Sequence, residues 1–141
     1  MPINECTLID LPHIRDARGS LSFVEGGRHV PFDIRRVYYL YDVTPGVSRG
    51  AHAHKKLEQL LIPLGGAFDV VLDDGRAQKT IRLEHSDVGL YICPMIWREL
   101  LNFSSGAVCF VLASAPYDEE DYFRNHEEFL AAVRRVHSAR A

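Results

Sequence analysis

A pair of histidines between two glycines constrains the fold of this chain more than any other feature of its sequence. His52 and His54 lie in the pattern Gly-x5-His-x-His-x3-Glu-x6-Gly, which begins at Gly46 and ends at Gly65. Side chains two positions apart on a β-strand point to the same face, so we expect both imidazoles to enter one interior. Glu58 follows after a short connection, and we expect its carboxylate to face the histidines across a turn.

The rest of the chain consists of short apolar or alternating runs separated by Gly, Pro and Asp, which is typical of an all-β sandwich or barrel. Asp73-Asp74-Gly75 predicts a hairpin turn, because Asp-Gly tolerates the positive φ of such turns, and Gly65-Gly66 predicts another corner. These signals favour a meander of consecutive strands over strands joined by crossover helices. The predicted strands lie within 37–43, 57–64, 67–73, 78–83, 88–93 and 107–113.

The last part of the chain has a different period. From residue 118 onward apolar residues recur at helical spacing, with acidic residues at the front and Arg134 and Arg135 near the end. This pattern predicts an amphipathic helix over about 118–138, packed on the outside of a barrel formed by about 5–116. A chain of 141 residues has the usual length of one domain, so we expect residues 1–141 to form a single unit.

Composition limits the classes of partner. The chain is 47% hydrophobic and 25% charged, as in ordinary globular domains, and its formal net charge is -3. This charge gives no overall attraction to nucleic acid or to an anionic membrane surface, and we expect neither as a partner. Cys6, Cys93 and Cys109 are too scattered for a disulfide framework. With no long apolar segment and no leader-like N-terminus, the sequence predicts a cytoplasmic protein with reduced thiols.

The paired-histidine pattern matches in full the first motif of the cupin fold, a double-stranded β-helix or jelly-roll barrel. In metal-binding cupins a second motif, Pro-x-Gly-x2-His, supplies a third histidine. After Pro94 this chain has Ile96 in place of the glycine and Glu99 in place of the histidine. An inward Arg98 would oppose a divalent cation, whereas an inward Glu99, together with Glu58, would complete a site for iron or manganese. The sequence leaves both orientations open.

Five blocks, in the right order, resemble the sugar 3,4-ketoisomerase family (WxcM-like). They are DARGSLSFVE at 16–25, IRRVYYLYD at 34–42, RGAHAHK at 49–55, WRE at 97–99 and LASAPYDEEDY at 112–122. The resemblance implies a metal-independent dimer without a cofactor. It implies an enzyme that moves the ketone of dTDP-4-keto-6-deoxyglucose from C4 to C3 through an enediol. Such a product serves the biosynthesis of 3-amino deoxysugars found in lipopolysaccharides, S-layers and antibiotics.

The catalytic candidates follow from this chemistry. Histidine exchanges protons near neutral pH, since its unperturbed pKa is about 6.5. We expect His52 to be the principal base and His54 to be its partner, which either orients it or shuttles a proton between the two oxygens. Tyr38 is the third candidate, because a phenol can donate a proton or stabilise an oxyanion. Tyr39 is its alternative, since one residue of the pair must face inward.

The candidate substrate contacts are more scattered along the sequence. Arginines offer paired donors that match the oxygens of a diphosphate, which points to Arg18 and Arg49, with Arg98 as a further contributor. Trp97 offers a ring for stacking on a base or a sugar. The set of expected substrate-binding residues is Arg18, Arg49, Tyr39, Gln59, Trp97 and Arg98.

Three other functions compete with the ketoisomerase. A 3,5-epimerase of the rhamnose pathway is a cupin that uses the same sugar and a histidine base. Cupins also include metal-dependent oxygenases and non-catalytic sugar-binding proteins. For the dimer expected from the resemblance, the extended segment 3–11 is the candidate strand for pairing or swapping with a neighbour.

Overall fold

The computed structural model describes residues 2–140, which form two facing β-sheets, a separate hairpin and a C-terminal helix. Short 3₁₀ turns lie at Pro2–Glu5 and Glu119–Asp121. The strands are β1 (Thr7–Asp10), β2 (His13–Asp16), β3 (Gly19–Ser22), β4 (Arg36–Leu40), β5 (Arg49–His54), β6 (Gln59–Gly65), β7 (Phe68–Asp73), β8 (Gln78–Leu83), β9 (Val88–Ile92), β10 (Trp97–Leu101), β11 (Val108–Ala113) and β12 (Tyr122–Phe123), and the helix is α1 (His126–Arg140).

The two large sheets have the orders β1-β9-β6-β11-β4 and β12-β5-β10-β7-β8, while β2 and β3 pair with each other. From β4 to β7 the chain enters the opposite sheet at each new strand, as it does again from β8 to β11. This alternation closes a jelly-roll barrel and confirms the predicted all-β cupin fold. The expectation of a meander was wrong, because local turn signals mark where strands end and not which sheet the next strand joins.

Each of the six predicted runs overlaps a strand, from β4 in the first to β11 in the last. The predicted hairpin turn joins β7 to β8, where Gly75 has a φ of 91° and its N–H donates to the Asp73 carboxylate at 2.7 Å. Gly66 turns the chain between β6 and β7 with a φ of 63°. The strands β1, β2, β3, β5, β10 and β12 lie outside these six runs, although the histidine pair had already indicated a strand at β5. β1 pairs with β9 of the same chain and leaves its other edge open.

Apolar side chains fill the barrel between the two sheets, with Val70, Leu72 and Leu90 among the fully buried ones. Burial of this apolar surface is the main stabilising contribution to such a fold. Cys6, Cys93 and Cys109 are free thiols within this core, and the Sγ atoms of Cys6 and Cys93 are 3.8 Å apart. A second apolar layer lies outside the first sheet, where Leu11, Val30 and Phe32 pack on Leu60, Ile62 and Leu112.

The helix α1 begins at His126, later than the predicted start near residue 118. The Asp118 carboxylate accepts a hydrogen bond from the N–H of Glu120 and caps a 3₁₀ turn, after which β12 is extended. β12 then pairs with β5, with Tyr122 opposite His54. The segment before His126 is therefore extended and paired with β5, and the helix begins only after it. Within residues 2–140 no helix has the length and apolar character needed to cross a bilayer.

Candidate active site

A cavity of about 290 Å³ opens between the two sheets, and the buried polar residues Gln59 and Arg98 are part of its lining. Leu61 and Val111 form part of its apolar wall. They belong to one row across the first sheet, in which Tyr38, Val111 and Leu61 are direct neighbours on β4, β11 and β6. Residues directly opposite each other share a face, so this register brings the Tyr38 side chain into the cavity.

Both predicted histidines lie on the same side of β5, with ring centroids 4.8 Å apart in an edge-to-face arrangement. His52 lines the cavity, and its cross-strand partner Arg98 lines it from β10. His54 is fully buried and lines a smaller adjoining cavity of about 170 Å³. His52 is therefore the histidine that a ligand in the larger cavity touches, and His54 lies behind it.

The two imidazoles are held in the neutral form. Burial, followed by the positive charge of Arg98, lowers the pKa of His52 to about 3 and that of His54 to about 2. Among the described residues, the Nε2 atoms of both rings have no hydrogen-bond partner. A neutral imidazole retains a lone pair on one ring nitrogen, so each ring has an acceptor atom available to a ligand or a neighbouring group.

A chain of hydrogen bonds fixes the polarity of Tyr38. Arg98 is almost fully buried, and its guanidinium donates to the carbonyl oxygen of Ile96 at 3.1 Å and to Oε1 of Gln59 at 2.5 Å. Because a guanidinium only donates, Oε1 of Gln59 must accept, and Nε2 of Gln59 donates to the Tyr38 hydroxyl at 2.9 Å. The hydroxyl hydrogen of Tyr38 is therefore free to donate to a ligand.

Protonation of the Tyr38 hydroxyl agrees with this arrangement. Burial raises its pKa above the usual value, although the Arg98 charge and the Gln59 hydrogen bond act in the opposite direction. The phenol is thus a neutral donor at physiological pH. A neutral, fixed donor beside a neutral base is the combination that proton transfer next to a carbonyl requires.

Four arginines line the cavity and make it suitable for an anionic ligand. Arg49 is exposed at the start of β5, and Arg98 is committed to Gln59 and Ile96. Sequence reasoning missed the other two, as well as Tyr122. The Arg36 guanidinium carbon lies 5.3 Å from the centroid of the Tyr38 ring, and that of Arg124 lies 4.2 Å from the centroid of the Tyr122 ring.

The sequence signal for these missed residues was uneven. Arg36 stands two residues before Tyr38, and strand alternation could have placed both on the same face. Tyr122 and Arg124 were assigned to the predicted helix, so nothing connected them with the site. In the structure, the Tyr122 ring centroid lies 4.3 Å from that of His54 and 5.1 Å from that of His52.

The structure does not bring three of the expected substrate contacts to this cavity. Tyr39 faces outward beside Phe110 and is 57% exposed. Trp97 packs under α1 against Phe129, because it alternates with the inward-facing Arg98. The Arg18 side chain is 91% exposed on the β2–β3 hairpin, where it pairs with Asp16 and does not line the cavity.

The expectation that Glu58 faces the histidines was wrong. Its carboxylate accepts a hydrogen bond from the Tyr91 hydroxyl at 2.7 Å, and its backbone N–H donates to Ser114. Glu99 alternates with Arg98 on β10 and so lies on the opposite face of that strand. Neither carboxylate lines the cavity. The two-histidine, two-carboxylate ligand set considered from the sequence is therefore not assembled, because inward Arg98 occupies the place that Glu99 would need.

Comparison with known proteins gives a consistent picture. The family model described as "FdtA: WxcM-like, C-terminal" matches residues 4–134. The chain is 45% identical over 132 residues to a TDP-4-oxo-6-deoxy-alpha-D-glucose-3,4-oxoisomerase of Aneurinibacillus thermoaerophilus, covering 94% of this chain and 95% of that protein.

Solved structures agree with the family match. A variant of the 3,4-ketoisomerase QdtA from Thermoanaerobacterium thermosaccharolyticum, in complex with TDP-4-keto-6-deoxyglucose, is 42% identical with a TM-score of 0.90, covering 92% of this chain and 94% of that one. The TDP-quinovose 3,4-ketoisomerase WlaRB of Campylobacter jejuni is 51% identical with a TM-score of 0.86, covering 89% and 97%. From its sequence, its barrel and its paired-histidine cavity, this chain belongs to the WxcM-like family of sugar 3,4-ketoisomerases.

Proposed function

We propose that this chain is an isomerase that moves the carbonyl of dTDP-4-keto-6-deoxyglucose from C4 to C3. The observation that carries the proposal is the pairing, in one cavity, of a neutral imidazole at His52 with a phenol at Tyr38 whose hydrogen is free. The identity to a TDP-4-oxo-6-deoxy-glucose 3,4-oxoisomerase supports the substrate class. The alternative functions of an epimerase, an oxygenase or a sugar-binding protein have no comparable support.

In the proposed mechanism His52 removes the proton from C3 of the sugar. The electrons of the broken C3–H bond form a C3–C4 double bond, and those of the C4 carbonyl go to its oxygen. Tyr38 donates a hydrogen bond to this developing oxyanion and stabilises it. The C4 oxygen then takes up a proton while the C3 hydroxyl loses one, and the proton that His52 removed or one exchanged with solvent is delivered to C4, which completes the 4-hydroxy-3-keto product. No net oxidation or reduction occurs.

The cations at the cavity support a diphosphate-linked substrate. Arg49 is exposed at the start of β5, Arg36 begins β4 and Arg124 directly follows β12, and all three line the cavity. Guanidinium groups recognise phosphate oxygens through paired donors. We assign the diphosphate to these three arginines and the sugar to the space between His52 and Tyr38.

Solvent labelling tests the reaction directly. Incubation with dTDP-4-keto-6-deoxyglucose in deuterated water should give a 3-keto product with deuterium at C4, measured by NMR. The His52→Asn variant should lose this label, because its amide does not accept a proton at neutral pH. A matched control is His85→Asn, which changes an exposed histidine outside the cavity and should leave the label unchanged.

Three other results, from product analysis, binding measurements or metal analysis, would reject the proposal. Inversion at C5 would identify an epimerase, and tight binding of the sugar nucleotide without turnover would identify a sugar-binding protein. Stoichiometric iron whose removal abolishes activity would identify a metal-dependent enzyme.

We further propose that the active form is a homodimer in the cytoplasm. The β2–β3 hairpin pairs only with itself in the described part of the chain, yet Ile14 and Leu21, directly opposite each other, are 59% and 56% exposed. Exposed apolar pairs of this kind commonly mark protein contacts, and we assign a second copy of this chain as the partner. Three free thiols support a reducing compartment, which cell fractionation tests.

A further inference from the structure

His54 is a fully buried histidine whose ring nitrogens have no hydrogen-bond partner among residues 2–140. Buried polar groups are almost always satisfied, so an unsatisfied ring next to a reactive one calls for a functional explanation. Burial and the Arg98 charge lower the pKa of His54 to about 2, which keeps the ring neutral. A neutral imidazole exists in two tautomers, and the one present decides which nitrogen accepts a proton.

One carboxylate approaches this ring. Oδ2 of Asp121 lies 3.3 Å from Nδ1 of His54, and in the part of the chain that the structure describes it is the carboxylate that comes within 4.0 Å of a His54 nitrogen. The two groups are close but not aligned as a hydrogen bond. Catalytic hydrogen bonds are often loose before substrate binds and tighten in the complex. A carboxylate only accepts, so it favours hydrogen on Nδ1 and disfavours a lone pair there.

The Asp121 carboxylate is itself fixed by the backbone that follows His54. Oδ1 accepts from the N–H of Lys56 at 2.9 Å, and Oδ2 accepts from the N–H of Leu57 at 3.2 Å. The backbone carbonyl of Asp121 also accepts from the N–H of Lys55 at 2.9 Å. These bonds hold the carboxylate beside the ring in the absence of substrate.

The pair lies behind the proposed catalytic base. His54 and Asp121 line the smaller cavity, which shares Arg36 and Tyr122 with the larger one, and Asp121 does not line the larger one. Besides burial, the positive charges of Arg98, Arg36 and Arg124 all disfavour protonation of His54 and lower its pKa. Asp121 is the opposing charge. The Asp121 carboxylate is therefore placed to act on His54 and not directly on a ligand in the larger cavity.

We propose that Asp121 is a positioning residue that keeps the hydrogen of His54 on Nδ1 and leaves Nε2 as the proton-accepting nitrogen of the ring packed against His52. When Nε2 accepts from His52 the proton taken from the sugar, His52 returns to its neutral form and the Asp121 carboxylate stabilises the imidazolium formed at His54. The role in turnover rests on the proposed function, whereas the tautomer itself does not.

The tautomer can be measured without substrate. In the full chain labelled with ¹⁵N-histidine, long-range ¹H–¹⁵N NMR at pH 7 should show His54 protonated at Nδ1, with its signals assigned from the His54→Gln variant. In Asp121→Asn the new amide can present its NH₂ group to Nδ1, so the population should shift toward the Nε2–H form. The matched control Asp118→Asn alters an acid of the same small cavity that does not contact His54, and should leave the tautomer unchanged.

Kinetics provide the second measurement. Asp121→Asn should lower kcat by about 100-fold, since general acid–base groups contribute about that much or more. KM should stay within about a factor of two, because Asp121 does not line the substrate cavity. An equal rise in KM would indicate a general structural role and overturn the inference.

The two proposals fail in different ways. His54 protonated at Nε2 in the unmodified chain, or an identical tautomer in Asp121→Asn, would overturn the role of Asp121 whatever the reaction is. The unmodified chain alone provides the first of these results, so the test does not depend on the folding of a variant. Absence of turnover together with the expected tautomers would reject the proposed function and leave the positioning role intact.

Discussion

At the residue level, Gln59 determines the direction of the hydrogen bonds at Tyr38, because its amide lies between Arg98 and the Tyr38 hydroxyl. The Tyr38 hydroxyl accepts from Gln59 and keeps its own hydrogen for a ligand. In Gln59→Glu the new carboxylate would still accept from Arg98, but it would also accept the Tyr38 hydrogen that the reaction needs. We expect kcat to fall by about 100-fold, the usual loss for one oxyanion donor. Steady-state kinetics with the sugar nucleotide measure this loss.

A double variant separates this explanation from a general disturbance. Tyr38→Phe removes the same hydrogen, so adding Gln59→Glu to it should cause little further loss of kcat. If the two losses instead multiply, Gln59 acts independently of Tyr38, and the hydrogen-bond chain from Arg98 through Gln59 does not explain its effect.

Strand alternation explains which site residues the sequence could predict. The spacing of His52 and His54 was sufficient to place both rings on one side of β5. For Tyr38 against Tyr39, alternation offered two choices, and the choice depends on register with β11, where Tyr38 lies opposite Val111. That register is formed between residues far apart in sequence, and no local pattern predicts it.

At the level of elements, α1 supports β5, the strand that carries the two histidines, from outside the barrel. Phe129 is fully buried against Trp97 and against Ala53, the residue between the two site histidines. Phe129→Ala should lower the free energy of unfolding by about 3–5 kcal/mol, through lost burial and the cavity left behind. The midpoint of thermal unfolding, followed by circular dichroism, should fall on the order of 10 °C.

Val136→Ala is the matched control on the same helix. Val136 is partly exposed, and its truncation should change the free energy of unfolding by less than about 0.5 kcal/mol. Equal effects of the two variants would show that α1 does not stabilise the barrel through Phe129.

The start of the helix shows why apolar spacing alone did not distinguish a strand from a helix. Apolar residues from 118 onward have helical spacing, but Tyr122 and Phe123 are used by β12 in pairing with β5. The Asp118 cap and the open edge of β5 together outweigh the helical propensity of these residues. The segment that supplies Asp121, Tyr122 and Arg124 to the site was therefore assigned to the wrong element.

At the scale of the whole molecule, the β2–β3 hairpin predicts self-association. Sedimentation velocity at micromolar concentration should show a dimer, and the double variant Ile14→Asp/Leu21→Asp should sediment as a monomer. Each of these side chains contributes about 1.5–3 kcal/mol when buried, so losing both weakens association by a factor of at least about 100. Charged groups in an apolar contact add to that loss.

Val136→Asp, which adds a charge to an exposed position on α1, is the control and should remain dimeric. A monomer for the unmodified chain would contradict the proposed dimer. Activity that survives in the monomeric double variant would show that association is not needed for turnover.

The three buried thiols allow local opening of the structure to be measured by their alkylation. Cys6 precedes β1, Cys93 follows β9 and Cys109 lies within β11, so each is tied to a different segment. An alkylating reagent reaches a buried sulfur when its segment opens, and the modification rate then follows the opening equilibrium. Mass spectrometry of partly alkylated protein can thus rank the detachment of the N-terminal strand against rupture of the barrel wall, with no engineered probe.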